Sequence, residues 1–396
     1  MDFAAVARPH RAGDHPRPGQ SAERPPTVLV VGPLPPPIHG AARVTALVAG
    51  NLRERGVHVL EADTGAPDGG PRLRYHLTRF VRHLRAAALV WHCRHRAQSL
   101  YIAGAGGLGL WYQVLVVLVG RLSGVQIVFH HHSFLYVTHA RTVMRLITRT
   151  GGARMVHVAL CDGMGQSLRT QYPAISRVRI CSNAGLLAPP DPDEAERPRP
   201  SGEALVLGHL GNLGEDKGLS ALLDTLRLLR AEGVPARLLV AGSAGTAESA
   251  NRLAVAAVEF GAALEQLGPV RPTEVDTFYR RIDAFVLPSR NEAEPLVVLE
   301  AARNGVPAIA FRVGCLAALV PEPDQLVGLS ADFPAAALPI VRRLADADTR
   351  RSIRREVLAH FAARQSAAVD AHGQLVALLT EPAGKRPHSR RAIAWH

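Results

Sequence analysis

At 396 residues, with 47% apolar side chains, the chain is long enough for two domains of ordinary size, each with its own core. A formal net charge of +12 calls for an anionic partner: nucleic acid, an anionic membrane surface or a phosphorylated substrate. The four cysteines, Cys93, Cys161, Cys181 and Cys315, form no C-x-x-C pair; their spacing suggests neither a zinc site nor a disulfide framework, and a reducing cytoplasm is the simplest setting.

Residues 1–26 are rich in Arg, Pro and His and lack an apolar stretch of signal-peptide length, so they read as a disordered basic leader. Thr27 to Val31 is a β-branched strand that runs into a proline-stiffened loop ending at His39 and Gly40, with a helix from about Arg43 to Arg55. Gly40 allows a ligand close to the backbone, but the loop is not a G-x-G-x-x-G fingerprint and does not predict a dinucleotide. Between Arg72 and Trp91, Leu73, Leu77, Phe80, Val81, Leu84 and Ala88 recur at helical spacing among five arginines. Such a basic amphipathic helix either docks on its own core or offers a surface to anionic lipid head groups.

The uncharged run Leu100 to Gly120 has the length of a membrane span, yet four glycines between Gly104 and Gly109 divide it. It parses better as a buried strand, Ser99 to Ala103, a glycine-rich loop, and a helix from Leu108 to Leu122. The strand Val125 to Phe129 then leads to His130, His131 and His132. Three consecutive residues do not converge on one ion, so no metal is expected there. Val156 to Leu160 and Val178 to Cys181 are further strands, the second followed by Ser182 and Asn183, and the proline-rich segment 189–202 is the linker.

In the second half, the strand Leu205 to His209 leads to Gly211-Asn-Leu-Gly214-Glu-Asp-Lys217-Gly218 and a helix. Lys217 thus places a cation beside a helix N-terminus, a phosphate-binding arrangement. Arg237 to Ala241 and the segment through Gly268 and Arg271 follow, with capping chemistry expected between Thr273 and Asp276. The most informative stretch runs from Asp283 to Ala310. Ala284 to Leu287 is a strand, Ser289 to Glu294 a polar loop, and Pro295 fits the first helical position, so Leu296 and Val297 offer free amides to an anion. Glu292 and Glu300 can project toward one ligand above the strand ends, where a carboxylate accepts two hydroxyl hydrogen bonds.

Glu292, seven residues, Glu300, then Ala and the Gly305-Val-Pro307 turn resemble the signature of family 4 retaining glycosyltransferases, and the likeness runs across most of the chain. It implies a GT-B fold: two Rossmann-like, doubly wound α/β domains (27–188 for the acceptor, 203–355 for the nucleotide sugar) facing a cleft. A crossover helix at 356–380 returns to the first domain, and 381–396 is a disordered tail. The resemblance further implies retention of configuration, a nucleotide diphospho-sugar as co-substrate, and no cofactor or metal.

By the same resemblance, Glu292 or its neighbour Glu294 meets the donor sugar, Glu300 the ribose, and Lys217 with Gly214 the diphosphate, while Asn212 stands where many members have Arg. Gly268 to Arg271 would meet the base, His132 the sugar, and His39, Gly40 and Asn183 the cleft near the acceptor. A saccharide or lipid-linked acceptor is the family habit, and the basic helix at 72–91 suits a cytoplasmic protein in peripheral contact with the inner face of an anionic membrane. Nucleic acid lacks an aromatic platform here. Two other readings stay open: a degenerate transferase acting as a binding subunit, and a nucleotide-sugar epimerase.

Overall fold

A computed structural model describes residues 25–37, 39–66, 72–194, 197, 204–321 and 325–381. The leader up to residue 24, parts of the linker and the tail beyond 381 lie outside the described residues.

The first half builds six parallel strands, β1 (Thr27–Gly32), β2 (His58–Asp63), β3 (Ala97–Gly104), β4 (Gln126–His131), β5 (Val156–Ala159) and β6 (Val178–Ile180), in the order β2-β1-β3-β4-β5-β6. Between them lie α1 (Gly40–Glu54), α2 (Arg72–His92), α3 (Gly109–Leu122), α4 (Thr142–Gly151) and α5 (Asp162–Gln171). Strand alternation divides the core: Val28 and Val30 pack with Val44, Val48 and Leu52 of α1, whereas Leu29 and Val31 pack with Ala86, Val90 and Val116 under α2 and α3. The uncharged run parses as expected, into β3, a glycine loop and α3, and among the described residues no helix is long and apolar enough to cross a membrane.

The second half repeats the plan with β7 (Leu205–Leu210), β8 (Ala236–Ala241), β9 (Leu264–Gln266), β10 (Ala284–Leu287), β11 (Ala308–Phe311) and β12 (Leu326–Val327), in the order β12-β11-β10-β7-β8-β9. Its helices are α6 (Leu219–Ala231), α7 (Ala247–Phe260), α8 (Val275–Arg280), α9 (Leu296–Arg303), α10 (Leu316–Leu319) and α11 (Phe333–Ala345). The capping bond before α8 differs from expectation: the Arg271 amide donates to Glu274 at 3.0 Å, while Asp276 instead accepts from Arg303 and Asn304.

The chain closes with α12 (Ala347–Thr380), one continuous helix of 34 residues, so the boundary expected at residue 355 falls inside it. At 1.5 Å per residue it is roughly 50 Å long, enough to pass from the second domain to the first. Ser99 of β3 donates to the Leu379 carbonyl at 2.6 Å, and His372 Nε2 donates to the Ser182 carbonyl at 3.0 Å. Arg354 of α12 pins the described part of the linker through the Glu194 carboxylate at 3.1 Å and the Arg197 carbonyl at 2.9 Å.

The cysteines depart from the sequence reading. Cys161, at the start of α5, and Cys315, just before α10, form a disulfide between the domains with a Cα separation of 6.0 Å; Cys93 and Cys181 are free and buried. Their separation of 154 residues hides the pairing from any reading of local spacing.

Candidate functional site

In each sheet the chain changes winding direction once, between β1 and β3 in the first and between β7 and β10 in the second. Loops leaving the carboxyl ends of strands at such points frame a crevice. In the second domain those loops carry Lys217, after β7, and Glu292, after β10. They meet: Lys217 Nζ donates to Glu292 Oε1 at 2.7 Å, with Lys217 one-third exposed. Gly218, at φ 82°, permits the turn into α6, because a Cβ there would collide with the Pro288 carbonyl. Asn212 is exposed and sits beside Gly245, and Gly214 precedes the turn that carries Lys217.

Pro295 caps α9 one position earlier than expected, which leaves Leu296 and Val297 in the first turn. The polar loop before them is braced by a turn from the next strand. The Cys315 amide donates to the Ala293 carbonyl at 2.7 Å, and Gly314, at φ 59°, lies so close to the Glu292 and Ala293 carbonyls that any Cβ would strike them.

The three carboxylates of this segment occupy three different surroundings. Glu292 faces Lys217. Glu294 is buried and accepts from Arg364 of α12 at 2.7 Å, Ser182 Oγ at 2.7 Å and the Asn183 amide at 2.6 Å. Burial raises its pKa, and Arg364 pulls it partly back. Glu300 is also buried and accepts from Arg43 of α1 at 2.5 Å; burial raises its pKa while Arg43 opposes the shift. The Tyr279 hydroxyl, which donates to the Val297 carbonyl at 2.7 Å, lies 3.5 Å from the other Glu300 oxygen. Arg43 therefore holds, from the first domain, one oxygen of the carboxylate expected to take a ribose diol.

On the first-domain side, the loop after β1 presents His39 and Gly40 at the winding change. His39 caps α1 through Nδ1, which accepts from the Ala42 amide at 3.3 Å, and a Cβ on Gly40 would meet nothing within 4 Å. His130 and His131 are strand residues and fully buried, pointing to opposite faces: His130 bonds Tyr101 at 2.8 Å, His131 bonds His157 at 3.0 Å. His132, past the strand end, is half-buried by surface exposure, lies 3.5 Å from the Tyr101 hydroxyl, and has its pKa lowered to about 4 by desolvation, so it is neutral at pH 7. Among the described residues no three His, Cys, Asp or Glu side chains are grouped to hold a metal ion.

Asn183 differs from the open position expected of it. It is buried, and both its amide and its side chain bond Glu294, the latter at 3.1 Å to the backbone carbonyl. It joins the two domains through Glu294, and His39, Gly40 and His132 are the other candidates of this domain. Gly268, at φ 70°, accepts from the Gly242 amide at 2.8 Å, which sets its loop beside the one after β8, and Arg271 is exposed. Arg43, Arg364, Ser182 and Tyr279 are absent from the sequence candidates. Each acts across 18 to 257 residues of chain, beyond any local motif.

Residues 191–355 match the family described as glycosyl transferases group 1. The match lies almost wholly in the second half of the chain and covers less than half of its length. The chain is 33% identical over 169 residues to a D-inositol 3-phosphate glycosyltransferase of Corynebacterium urealyticum, an alignment covering 41% of this chain and 40% of that one. The match thus spans about two fifths of the relative's length. Two solved structures align over nearly the whole fold. The sucrose-phosphate synthase of Thermosynechococcus elongatus (TM-score 0.67, 19% identity) covers 90% of this chain and 99% of its own. HepE of Anabaena, solved with UDP and glucose (TM-score 0.63, 15% identity), covers 89% and 98%. The two facing parallel sheets are therefore the GT-B fold.

Proposed function

We propose that the chain is a retaining glycosyltransferase that moves a sugar from a nucleotide diphospho-sugar to an acceptor hydroxyl on a saccharide or lipid-linked glycoconjugate. The observation that carries this reading is the meeting of Lys217 and Glu292 at the winding change of the second domain, with Glu300 one helical turn into α9. HepE, which holds UDP in the same fold, supports a uridine nucleotide as the first donor to test.

In the proposed reaction the bond between the anomeric carbon and the diphosphate oxygen breaks, and the bond to the acceptor oxygen forms on the same face. About two negative charges develop on the leaving diphosphate, and Lys217 together with the first-turn amides of α9 lies where those charges are best offset. These groups do the work that a divalent metal would otherwise do. The departing phosphate oxygen takes the acceptor proton. Glu300 receives the ribose hydroxyls once Arg43 has released it, and Glu292, freed from Lys217 by the diphosphate, turns to the sugar. The neutral His132 can donate or accept one hydrogen bond to a sugar hydroxyl.

Thermal shift with UDP, GDP and ADP tests the donor site, followed by NMR of the product from UDP-glucose with and without EDTA. A stabilising nucleoside diphosphate and an α-linked product insensitive to EDTA are expected. If no nucleoside diphosphate shifts the melting curve, the donor site is wrongly placed. Asn212, exposed where many relatives carry a cation, favours one other reading, a binding subunit; nucleotide binding without turnover on any acceptor would select it.

A further inference from the structure

Outside the cleft, the outer helical layer of the first domain has its polarity reversed. The inward side of α2 is His83, Ala86, Ala87 and Val90, all buried, whereas its solvent side is a stripe of Leu73 (80% exposed), Leu77 (59%), Phe80, Leu84 and Trp91. The seam between α2 and α3 is polar: His76 bonds the Tyr112 hydroxyl at 3.1 Å, and Arg79 lies against the Tyr75 and Tyr112 rings. Beyond that seam α3 repeats the pattern, with Trp111, Leu118 and Leu122 (68%) exposed in one row. A helix in contact only with water would show the opposite arrangement, so these two adjacent stripes form one apolar face that no other element among the described residues covers.

The charge around the face says what covers it. From Gly69 to Cys161 the sequence holds twelve arginines and neither Asp nor Glu, so this segment alone carries a formal +12. Arg74 and Arg85 on α2, and Arg145 and Arg149 on the neighbouring α4, are exposed on either side of the apolar rows, and none of the four pairs with a carboxylate among the described residues. A second copy docking here would oppose two acid-free, arginine-rimmed surfaces. A nucleic acid would leave the leucines and tryptophans uncovered.

We infer that the α2–α3 face docks on an anionic lipid bilayer, with Leu73, Leu77, Phe80, Trp91, Trp111 and Leu122 entering the interface and the flanking arginines meeting lipid phosphates. Electrostatic attraction by 72–91 alone would not need the α3 row. Both helices begin at the carboxyl edge of their sheet, so Leu73, Leu77 and Trp111 lie at the cleft end of the face. A membrane there places the mouth of the acceptor side near the lipid surface. Docking itself does not depend on glycosyl transfer.

The test uses the full chain with sucrose-loaded vesicles of phosphatidylcholine, with and without phosphatidylglycerol. The chain should sediment with the anionic vesicles, and Leu77→Asp/Trp111→Asp should lower partitioning at least roughly tenfold while keeping the thermal shift with UDP, which reports the donor site separately. In the unmutated chain, Trp91 and Trp111 fluorescence should be quenched by brominated acyl chains, a readout that needs no variant to fold. Failure to sediment, sedimentation of the double variant equal to that of the parent, or absence of quenching would overturn the proposal. So would a dimer that dissociates in the double variant without any vesicle binding, because a second copy would then own the face.

Discussion

Replacing Arg364 by Leu removes the only cation bonded to Glu294 among the described residues and leaves its carboxylate, 4% exposed as a residue, with only Ser182 and the Asn183 amide. Breaking a buried ion pair costs about 3–5 kcal/mol, and because the Arg364 side chain is itself one-fifth exposed the lower end, about 3, applies. The loss should depend on pH. Burial already raises the pKa of Glu294 in the folded state, so the native protein holds that proton more tightly than the unfolded chain. The group's contribution is then fullest below the unfolded Glu value and is lost as pH rises through the folded one. Without Arg364 the folded value moves higher still, so guanidinium denaturation should show a larger deficit at pH 8 than at pH 5. Adding Glu294→Gln, whose carbonyl oxygen still accepts from the Asn183 amide while its NH2 can donate to Ser182 Oγ, removes the charge and should recover part of the loss at pH 8. Equal deficits at both pH values, with no recovery in the double variant, would refute the account of Glu294 as a buried, Arg-paired carboxylate.

Glu300→Gln should weaken nucleoside diphosphate binding by roughly tenfold or more, since a hydrogen bond to a charged acceptor contributes about 1.5–3 kcal/mol; calorimetry with UDP reads it, and unchanged affinity removes Glu300 from the ribose role. Lys217→Ala should lower kcat with donor more than it raises KM, because the charge it meets grows as the diphosphate leaves; steady-state kinetics with UDP-glucose separates the two. Gly314→Val puts a β-branched side chain at φ 59° against the Glu292 and Ala293 carbonyls, so a stability loss of about 1–3 kcal/mol and a weaker UDP thermal shift should appear together.

The alternation of strands and helices is legible in the sequence because each element carries its own period, and Lys217 and Glu292 are legible because each stands between a strand end and a helix. Register within those elements is harder. His130 and His131 read as loop residues until β4 is seen to extend through them, after which alternation sends them to opposite faces. For α2, helical spacing shows that Leu73, Leu77, Phe80 and Leu84 share a side, yet spacing has no sign, and the alanines and His83 are what the sheet accepts. Arg43 with Glu300, Glu294 with Arg364, and Cys161 with Cys315 depend on how two separately wound domains face each other. No local pattern encodes that.

The sulfur bridge also sets how the cleft can open. It ties the start of α5 to the turn before α10, and that turn is the one whose Gly314 and Cys315 brace the Glu292 loop. With the bond intact, the start of α5 and the turn before α10 cannot part, and α12, running from one domain to the other, restrains the lobes at a further place. The wall of the cleft that carries Glu292 is thus leashed covalently to the opposite domain.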